Sequence, residues 1–324
     1  PQGAADTSSP SGSQFSKPPI PQARHPGDGG TPAVYHLFSG RADRVDGIQS
    51  FLKQSGVHCL DMDIANVGAN GELKEHNDLA SDHLWEIILG DIRTDRVKAL
   101  WFGTPCTTFS RAREVRPGPP PLRNLDHPYG LPKSSLTLQQ HEQVRLGTFY
   151  ALKTAEAATA AHSRGIPWAI ENPEPWEGHI SMWLLPEFMA LASLPGVQTV
   201  NFDQCTIGAE TTKPTRVLYY KVPLDSLHKR CQHPKRWWEY QDFSGKSQRR
   251  WGAHPPLARR VREDGTPATA AAAVYPGELN RALAEALAQA VGSPAAPHDP
   301  SDLASRGTPV PPVSANTEEP GPRA

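Results

Sequence analysis

Hydrophobic and polar positions follow a strand, helix, strand rhythm over the first two thirds of the chain. Short apolar runs at 33–38, 57–60, 99–102 and 167–170 predict buried strands. Between them, apolar positions three and four residues apart predict helices at about 43–54, 79–89 and 138–163. This alternation is typical of a parallel sheet built from βαβ units. The sequence therefore predicts an α/β fold with helices on both faces of the sheet.

The pattern changes after residue 170. A helix over 180–193 is predicted to break or restart at Pro186, because proline lacks the amide that a helix interior needs. Apolar runs at 197–202 and 217–220 predict an antiparallel hairpin. A last helix is predicted at 276–291, where Pro276 suits the first turn. We expect this helix to pack near the first strand.

Composition separates the ends of the chain from its middle. Residues 1–32 and 293–324 are rich in Pro and small or polar residues and lack apolar periodicity, which predicts disordered tails. The middle is divided into a nucleotide-binding domain at 33–220, a small region at 221–274 and a returning helix at 275–292. The chain begins at Pro1 rather than Met, as expected of a fragment, a processed product or part of a longer polypeptide.

Charge and cysteine usage narrow the class of protein. The sequence has no apolar run long enough for a membrane span and no signal-peptide pattern, so no membrane partner is expected. Four cysteines without a CxxC pair suit a reducing compartment. We therefore expect an intracellular protein, nuclear if the host is eukaryotic. The net charge of −1 excludes a chain that is basic throughout.

Residues 226–262 are an exception, with ten Lys or Arg against two Asp or Glu. Aromatic residues are interleaved with these cations. Basic side chains neutralise phosphates and aromatic faces stack on exposed bases, so this region is a candidate nucleic-acid surface. The alternative is a small packed subdomain with an aromatic core. The candidate contacts are Lys235, Arg236, Trp237, Arg249 and Arg250.

Metal-ligand residue types occur around the same region. They are Cys205, Cys231, His233 and His254. Zinc favours such ligands, but their spacing matches no standard finger motif. The sequence therefore predicts no metal site.

Polar residues follow the first predicted strands, at the edge where open α/β sheets bind ligands. Gly40 ends the first strand, and Asp61 or Asp63 ends the second. A glycine there lets the backbone approach a nucleoside, and an acid accepts hydrogen bonds from ribose hydroxyls. Ordinary turn residues are the alternative. Asp91, before the next strand, is either a plain loop acid or a contact to an adenine amino group.

The most informative stretch is 97–113, where an apolar strand breaks at Gly-Thr-Pro and Cys106 follows directly. A cysteine held there can act as a thiolate nucleophile; a buried small hydrophobic residue is the alternative. Residues 111–137 form either a lid beside it or a surface loop. Glu171 and Asn172 end a later strand, where a carboxylate is costly unless exposed or used. Arg216 is either a surface hairpin residue or a base contact.

In order and content, these motifs resemble the cytosine-C5 DNA methyltransferase family, which uses S-adenosylmethionine. The resemblance covers nearly all of residues 33–292. The segments that carry it are Leu37-Phe38-Ser39-Gly40, Asp61 or Asp63, Gly90-Asp91-Ile92, Pro105-Cys106-Thr107-Thr108-Phe109-Ser110, Glu171-Asn172, Lys213 to Leu218, and Tyr275 to Val291.

The resemblance implies a Rossmann-like class I methyltransferase sheet, with S-adenosylmethionine as cofactor and DNA as partner, RNA not being excluded. It implies that Cys106 adds to cytosine C6, Glu171 binds N3, Arg216 holds O2 and Asn172 positions the Glu171 loop, all acting on a flipped base. The implied cofactor contacts are Phe38, Ser39, Gly40, Asp61, Asp63, Asp91, Ile92 and Pro105. Further nucleic-acid contacts are expected at Ser110, Arg111, Arg113 and Lys213.

The sequence departs from the family pattern at four places. The cofactor loop lacks the second and third glycines, Thr107 replaces the usual Gln, Pro173 the usual Val, and Pro214 the first Arg of the hairpin motif. Such departures are typical of a divergent branch, such as enzymes of phages or mobile elements. The alternatives are a methyltransferase fold that only binds cofactor or nucleic acid, and an RNA cytosine methyltransferase.

Overall fold

A computed structural model describes residues 31–68, 70–115 and 119–292. Its centre is a six-stranded sheet in the order β2-β1-β3-β4-β6-β5. The strands are β1 (Ala33–Leu37), β2 (Cys59–Met62), β3 (Val97–Phe102), β4 (Trp168–Pro173), β5 (Val197–Asp203) and β6 (Pro214–Tyr220). Neighbouring strands are parallel from β2 to β4, whereas β6 is antiparallel to both β4 and β5. The predicted α/β fold and the predicted hairpin are confirmed.

Helices cover both faces of this sheet, as predicted. The helices on this sheet are α1 (Ile48–Gln54), α2 (Asp82–Arg93), α3 (Leu138–Ser163), α4 (Pro186–Ala192) and α6 (Gly277–Ala290). The short helix α5 (Ala268–Ala271) lies beside Arg260–Val261 instead. One apolar core joins the sheet to α2, α3 and α4, and a second core joins its other face to α1 and α6. Among the described residues, no helix combines the length and the apolarity needed to cross a bilayer.

Local sequence explains where several helices begin. Thr137 and Gln140 form a reciprocal capping box at the start of α3, so this helix has the predicted bounds. Pro186 starts α4, and Pro276 caps α6. Helix α1 is shorter than predicted, because it begins at Ile48 after Gly47 and leaves Val45 86% exposed.

Helix α2 lies about three to four residues later than predicted, and it includes Asp91 and Ile92. The sequence analysis placed these two residues between the helix and β3. Gly90 does not end the helix, because the backbone continues in helical hydrogen bonding to Arg93, and Thr94 N bonds to Gly90 O at 3.1 Å. Asp91 and Ile92 therefore belong to α2 and not to a loop at the end of a strand.

A second, three-stranded antiparallel sheet is formed by the basic region. Its strands are β7 (Arg236–Asp242), β8 (Ser247–Gly252) and β9 (Arg260–Val261), in the order β8-β7-β9. Most of the side chains of β7 and β8 are exposed, and Asp242 is the one fully buried residue of these two strands. The tails predicted for 1–32 and 293–324 lie outside the described residues, apart from residues 31 and 32.

Candidate functional site

The carboxyl ends of three neighbouring strands bring the main candidate residues to one edge of the large sheet. Phe102, the last residue of β3, pairs with Leu37 of β1 and with Ile170 of β4. Cys106 follows Phe102 by a short loop, and Glu171 and Asn172 follow Ile170 directly. The parallel register alone therefore brings the cysteine loop next to the Glu-Asn pair, as the sequence predicted.

A buried hydrogen bond locks these two segments together. Asn172 Nδ2 donates to the carbonyl oxygen of Thr104 at 2.8 Å, and Asn172 is only 1% exposed. The Thr104 hydroxyl is in turn 3.1 Å from the hydroxyl of Thr154 on α3. The backbone two residues before Cys106 is thus fixed from both β4 and α3. Asn172 therefore positions the cysteine loop, whereas the family resemblance implied that it positions the Glu171 loop.

Gly103 allows an unusually close approach between two loops. Its amide donates to Leu37 O at 3.0 Å. A Cβ atom at this position would lie 3.0 Å from Phe38 O and 3.3 Å from the Tyr275 hydroxyl. Phe38 itself has φ +59°, which is uncommon for a residue with a side chain. Only glycine fits at 103 without displacing backbone at the site.

Glu171 is held by a residue that sequence analysis did not place in the site. The Tyr275 hydroxyl donates to Glu171 Oε2 at 2.7 Å, and Glu171 is 7% exposed. Burial, followed by the charge of Glu171, raises the pKa of Tyr275 well above its usual value, so Tyr275 remains a donor. The other carboxylate oxygen, Oε1, is buried and has no hydrogen-bond partner in the described part of the chain. One oxygen is therefore oriented while the other is left for a donor or acceptor from outside.

The charges around Cys106 come from Lys213 and Glu171. Burial is the largest influence and raises the pKa of the Cys106 thiol; the Lys213 charge opposes this, and the Glu171 charge adds to it. The Lys213 ammonium lies 5.4 Å from the centre of the Tyr275 ring. Lys213, expected to contact nucleic acid, therefore lies at the cysteine site.

Arg216 occupies the strand position opposite Asn172. Its Nε donates to Asn201 Oδ1 at 3.0 Å, and burial lowers the pKa of its guanidinium. The charges that act on it are those of Glu174 and Arg230. Arg216 is thus at the predicted edge of the sheet, but its side chain bonds to β5 rather than to Glu171.

The loop after β1 has the features expected of a ligand cradle. Gly40 has φ +68°, and the space where its Cβ would stand contains no atom within 4 Å. Its amide donates to Asp63 Oδ2 at 2.9 Å, and Ser39 Oγ donates to Gly40 O at 3.0 Å. Asp61 is instead buried against His36 Nδ1 at 2.9 Å. Of the two candidate acids, Asp63 lies at this loop and Asp61 does not.

Tyr150 packs against the same loop, and the charges of two acids act on it. The Phe38 ring packs edge-on against Tyr150 with 5.2 Å between ring centres. Burial is the main cause that raises the pKa of Tyr150, and the charges of Asp78 and then Asp63 add to it. Asp78 directly follows the short helical turn Glu75–Asn77.

Asp91 and Ile92 are not part of this edge, which corrects the expectation that they contact a cofactor. Asp91 is 4% exposed and accepts a hydrogen bond from Tyr35 Oη at 2.8 Å, with Arg96 at 3.5 Å. Arg96 immediately precedes β3, so this group lies at the amino end of the strand, opposite Cys106. Ile92 is fully buried in the apolar core.

The segment after Cys106 is anchored by buried arginines. Arg113 is 8% exposed and donates to Thr107 O at 2.7 Å, Pro120 O at 3.1 Å and Gln143 Oε1 at 3.0 Å. Its expected nucleic-acid contact is therefore wrong: Arg113 holds the cysteine loop instead. Arg123 is 1% exposed, and burial lowers its pKa to about 10.

Two neighbours of Arg113 have different roles. Ser110 Oγ accepts from Ala112 N at 3.2 Å and caps the short helical turn Arg111–Glu114. Arg111 is exposed, and its guanidinium lies 3.8 Å from the centre of the Trp176 ring. Arg111 is therefore still available to a polyanion, whereas Ser110 is used locally.

The small sheet presents aromatic rings and cations to solvent. Trp237 and Trp251 face each other across β7 and β8 with 5.5 Å between ring centres, and they are 56% and 53% exposed. The Arg249 guanidinium lies 4.9 Å from the Trp237 ring centre. Lys235, Arg236, Arg249 and Arg250 are all exposed. The alternative of an aromatic core is wrong for Trp237 and Trp251.

Comparisons with known proteins give little beyond this geometry. No protein-family model matches the sequence, and no curated protein matches it. One similar solved structure is a prophage-encoded Escherichia coli protein, described provisionally as a DNA modification methyltransferase. The two chains are 13% identical with a TM-score of 0.28, over 58% of this chain and 46% of that one. This chain thus spans less than half of that neighbour, and a likeness at this level carries no argument.

Proposed function

We propose that this protein is a DNA cytosine-C5 methyltransferase that uses S-adenosylmethionine, built on a class I methyltransferase sheet. The observation that carries the proposal is the junction of Cys106 with Glu171 and Asn172. A cysteine loop is fixed by Asn172, and a buried carboxylate beside it has one oriented and one unpartnered oxygen. This pairing matches a reaction in which a thiolate attacks a ring while a carboxyl group serves a ring nitrogen.

The chemistry requires these groups because cytosine C5 is a poor nucleophile. The Cys106 thiolate adds to C6, forming a carbon–sulfur bond and moving an electron pair toward N3. Glu171, protonated on Oε1, donates this proton to N3 and takes it back when the thiolate leaves, while Tyr275 keeps the carboxyl group oriented. S-adenosylmethionine would supply its methyl group to C5, with the broken sulfur–carbon bond leaving a neutral thioether. Loss of the C5 proton, for which water is the base in this proposal, then expels the thiolate.

Lys213 was expected from the sequence to contact nucleic acid, and in this proposal it acts on Cys106 instead. Its charge lowers the pKa of Cys106 against the effect of burial, so it increases the thiolate fraction. Arg216 is retained as the residue that binds cytosine O2, which requires it to leave Asn201 when the base enters. The hairpin thus contributes one cation to the nucleophile and one to the substrate.

The cofactor is placed at the loop after β1. The open space over Gly40 lets a ligand approach the backbone, and Asp63 is the acid at that loop. Phe38, Ser39 and Pro105 complete the proposed contacts. The exposed Trp237, Arg249 and their neighbours form the proposed DNA surface.

The test is methyl transfer from labelled S-adenosylmethionine to mixed-sequence DNA, with DNA containing 5-fluorocytosine as a trap. Fluorine cannot leave C5 as a proton does, so we expect a covalent complex that survives denaturation. Cys106→Ala should lose both transfer and complex while it still binds cofactor. Cys59→Ala, which changes a buried cysteine on β2, should retain both.

Two outcomes would contradict the proposal. Full activity of Cys106→Ala would exclude this nucleophile. Absence of transfer and of complex on both DNA and RNA, with cofactor binding confirmed by calorimetry, would favour a binding module. Transfer to RNA alone would retain the mechanism and replace the substrate.

A further inference from the structure

A second cluster of nucleophilic side chains lies where the small sheet meets the large one. Its members are Cys205, Cys231, His233 and His254, and one ligand atom from each lies within 4.8 Å of all the others. Cys205 is in the short helical turn Gln204–Ile207, directly after β5. The other three residues flank the β7–β8 hairpin.

The distances within this cluster match the edges of a tetrahedral metal site. Cys231 Sγ lies 3.4 Å from His233 Nδ1 and 3.3 Å from His254 Nε2, and the two histidine nitrogens are 3.2 Å apart. With zinc–sulfur bonds of about 2.3 Å and zinc–nitrogen bonds of about 2.0–2.1 Å, neighbouring ligand atoms should be roughly 3.3–3.8 Å apart. These three atoms therefore outline one face of a tetrahedron, and Cys205 Sγ lies within 4.8 Å of each of them.

Surrounding groups orient two of these ligands. His254 Nδ1 lies 3.0 Å from the carbonyl oxygen of Glu210. Since a carbonyl only accepts, Nδ1 carries the proton and the lone pair of Nε2 faces the cluster. The Cys231 amide donates to Asp203 Oδ2 at 2.8 Å, which ties this loop to the end of β5. Oriented ligands with hydrogen-bonded outer partners are typical of metal sites.

We propose that Cys205, Cys231, His233 and His254 bind one zinc ion, which fixes the small sheet to the large one. All four positions are protein side chains, so the site is closed and structural rather than catalytic. Binding deprotonates both thiols and releases two protons to solvent. The small sheet needs such a clamp, because β7 and β8 bury almost no side chains of their own.

The test measures metal content in the full chain purified without chelator. We expect one zinc per chain by elemental mass spectrometry, and loss of most of it in Cys231→Ser and in His254→Ala. Cys106→Ser is the matched control, since it makes the same substitution at a partly exposed cysteine outside the cluster, and it should retain one zinc.

A second measurement does not depend on how the variants fold. Wild-type protein stripped by chelation should take up one cobalt ion with the visible bands of tetrahedral thiolate coordination, and zinc should displace it. Its Tm should fall on stripping and recover with zinc. Wild-type protein that contains no zinc and takes up neither metal would overturn the proposal, as would full zinc occupancy in both variants. The zinc site is independent of methyl transfer, so an inactive protein that binds one zinc would contradict only the proposed function.

Discussion

The large and small sheets differ in how deeply their candidate functional groups are buried. At the edge of the large sheet, Glu171 and Asn172 are buried and each has a fixed hydrogen-bond partner. On the small sheet, Trp237 and Trp251 are more than half exposed; their rings pack against each other, and the Arg249 guanidinium lies over the Trp237 ring. One region is a preorganised site, and the other is an open surface.

Substitutions in the two regions should therefore have different effects. A preorganised site loses rate or stability when a single atom is misplaced, because its partners cannot adjust. An exposed surface loses affinity in small steps, because each side chain contributes separately. One contact between the small sheet and the rest of the chain is the ion pair of Arg260 Nη1 with Glu210 Oε1, at 2.7 Å.

Glu171→Gln should give the largest effect among variants that retain the nucleophile. The amide cannot deliver a proton to N3, so we expect single-turnover methyl transfer to fall by about 10²–10³-fold with little change in Tm. Glu174→Gln is the matched control on the same strand end, where Glu174 pairs with Arg230 at 2.6 Å. Equal losses in the two variants would contradict the separate role of Glu171.

Gly103→Ala should destabilise the fold at the site. The new methyl group meets the backbone at Phe38 O, 3.0 Å away, and we expect a loss of about 1–3 kcal/mol in the free energy of unfolding. Gly90→Ala is the control, because its Cβ meets only Arg93 Nη2 at 4.0 Å and it lies inside helix α2. Gly90→Ala should instead stabilise by up to about 1 kcal/mol in urea unfolding. If Gly103→Ala were neutral, the close packing of these loops would be refuted.

Trp237→Ala should weaken DNA binding by about 1–3 kcal/mol without changing the Tm, if the exposed ring stacks on a base. Trp237→Phe should recover most of this affinity. A drop in Tm in Trp237→Ala would instead assign the ring to packing.

Arg249→Gln should reduce the salt dependence of DNA binding by about one unit of slope. Arg145→Gln, at an exposed arginine on α3 paired with Glu142, should leave that slope unchanged.

Lys213→Gln should give the smallest effect, a change in the pH dependence of Cys106 reactivity. Lys213 lowers the pKa of this thiol, so its removal raises the pKa and moves the alkylation profile to higher pH. Mass spectrometry of the Cys106 peptide during alkylation measures this profile. Lys221→Gln is the control, because Lys221 Nζ bonds to Gly165 O at 3.2 Å at the other end of β6. A shift to lower pH would contradict the assignment.

The elements of the large sheet and the order of the main motifs could be predicted from the sequence, whereas the strands of the small sheet could not. Helix α3 has the predicted bounds because its capping box, and Gly165 with φ +68° just after its last turn, are local features. The strand ends carrying Cys106 and Glu171 meet because parallel strands place their carboxyl ends at one edge. Both properties depend on residues close in sequence or on the general geometry of the fold.

The pairing of polar residues could not be predicted, because it depends on how distant segments pack. Asp91 accepts a hydrogen bond from Tyr35, and Arg113 donates one to the cysteine loop. Tyr275 donates to Glu171, which is 104 positions away in the chain. The proposed zinc ligands are likewise separated, so their spacing matched no motif. Local patterns reveal which residues are buried or capped, whereas the pairing of distant side chains depends on how the sheets and helices pack.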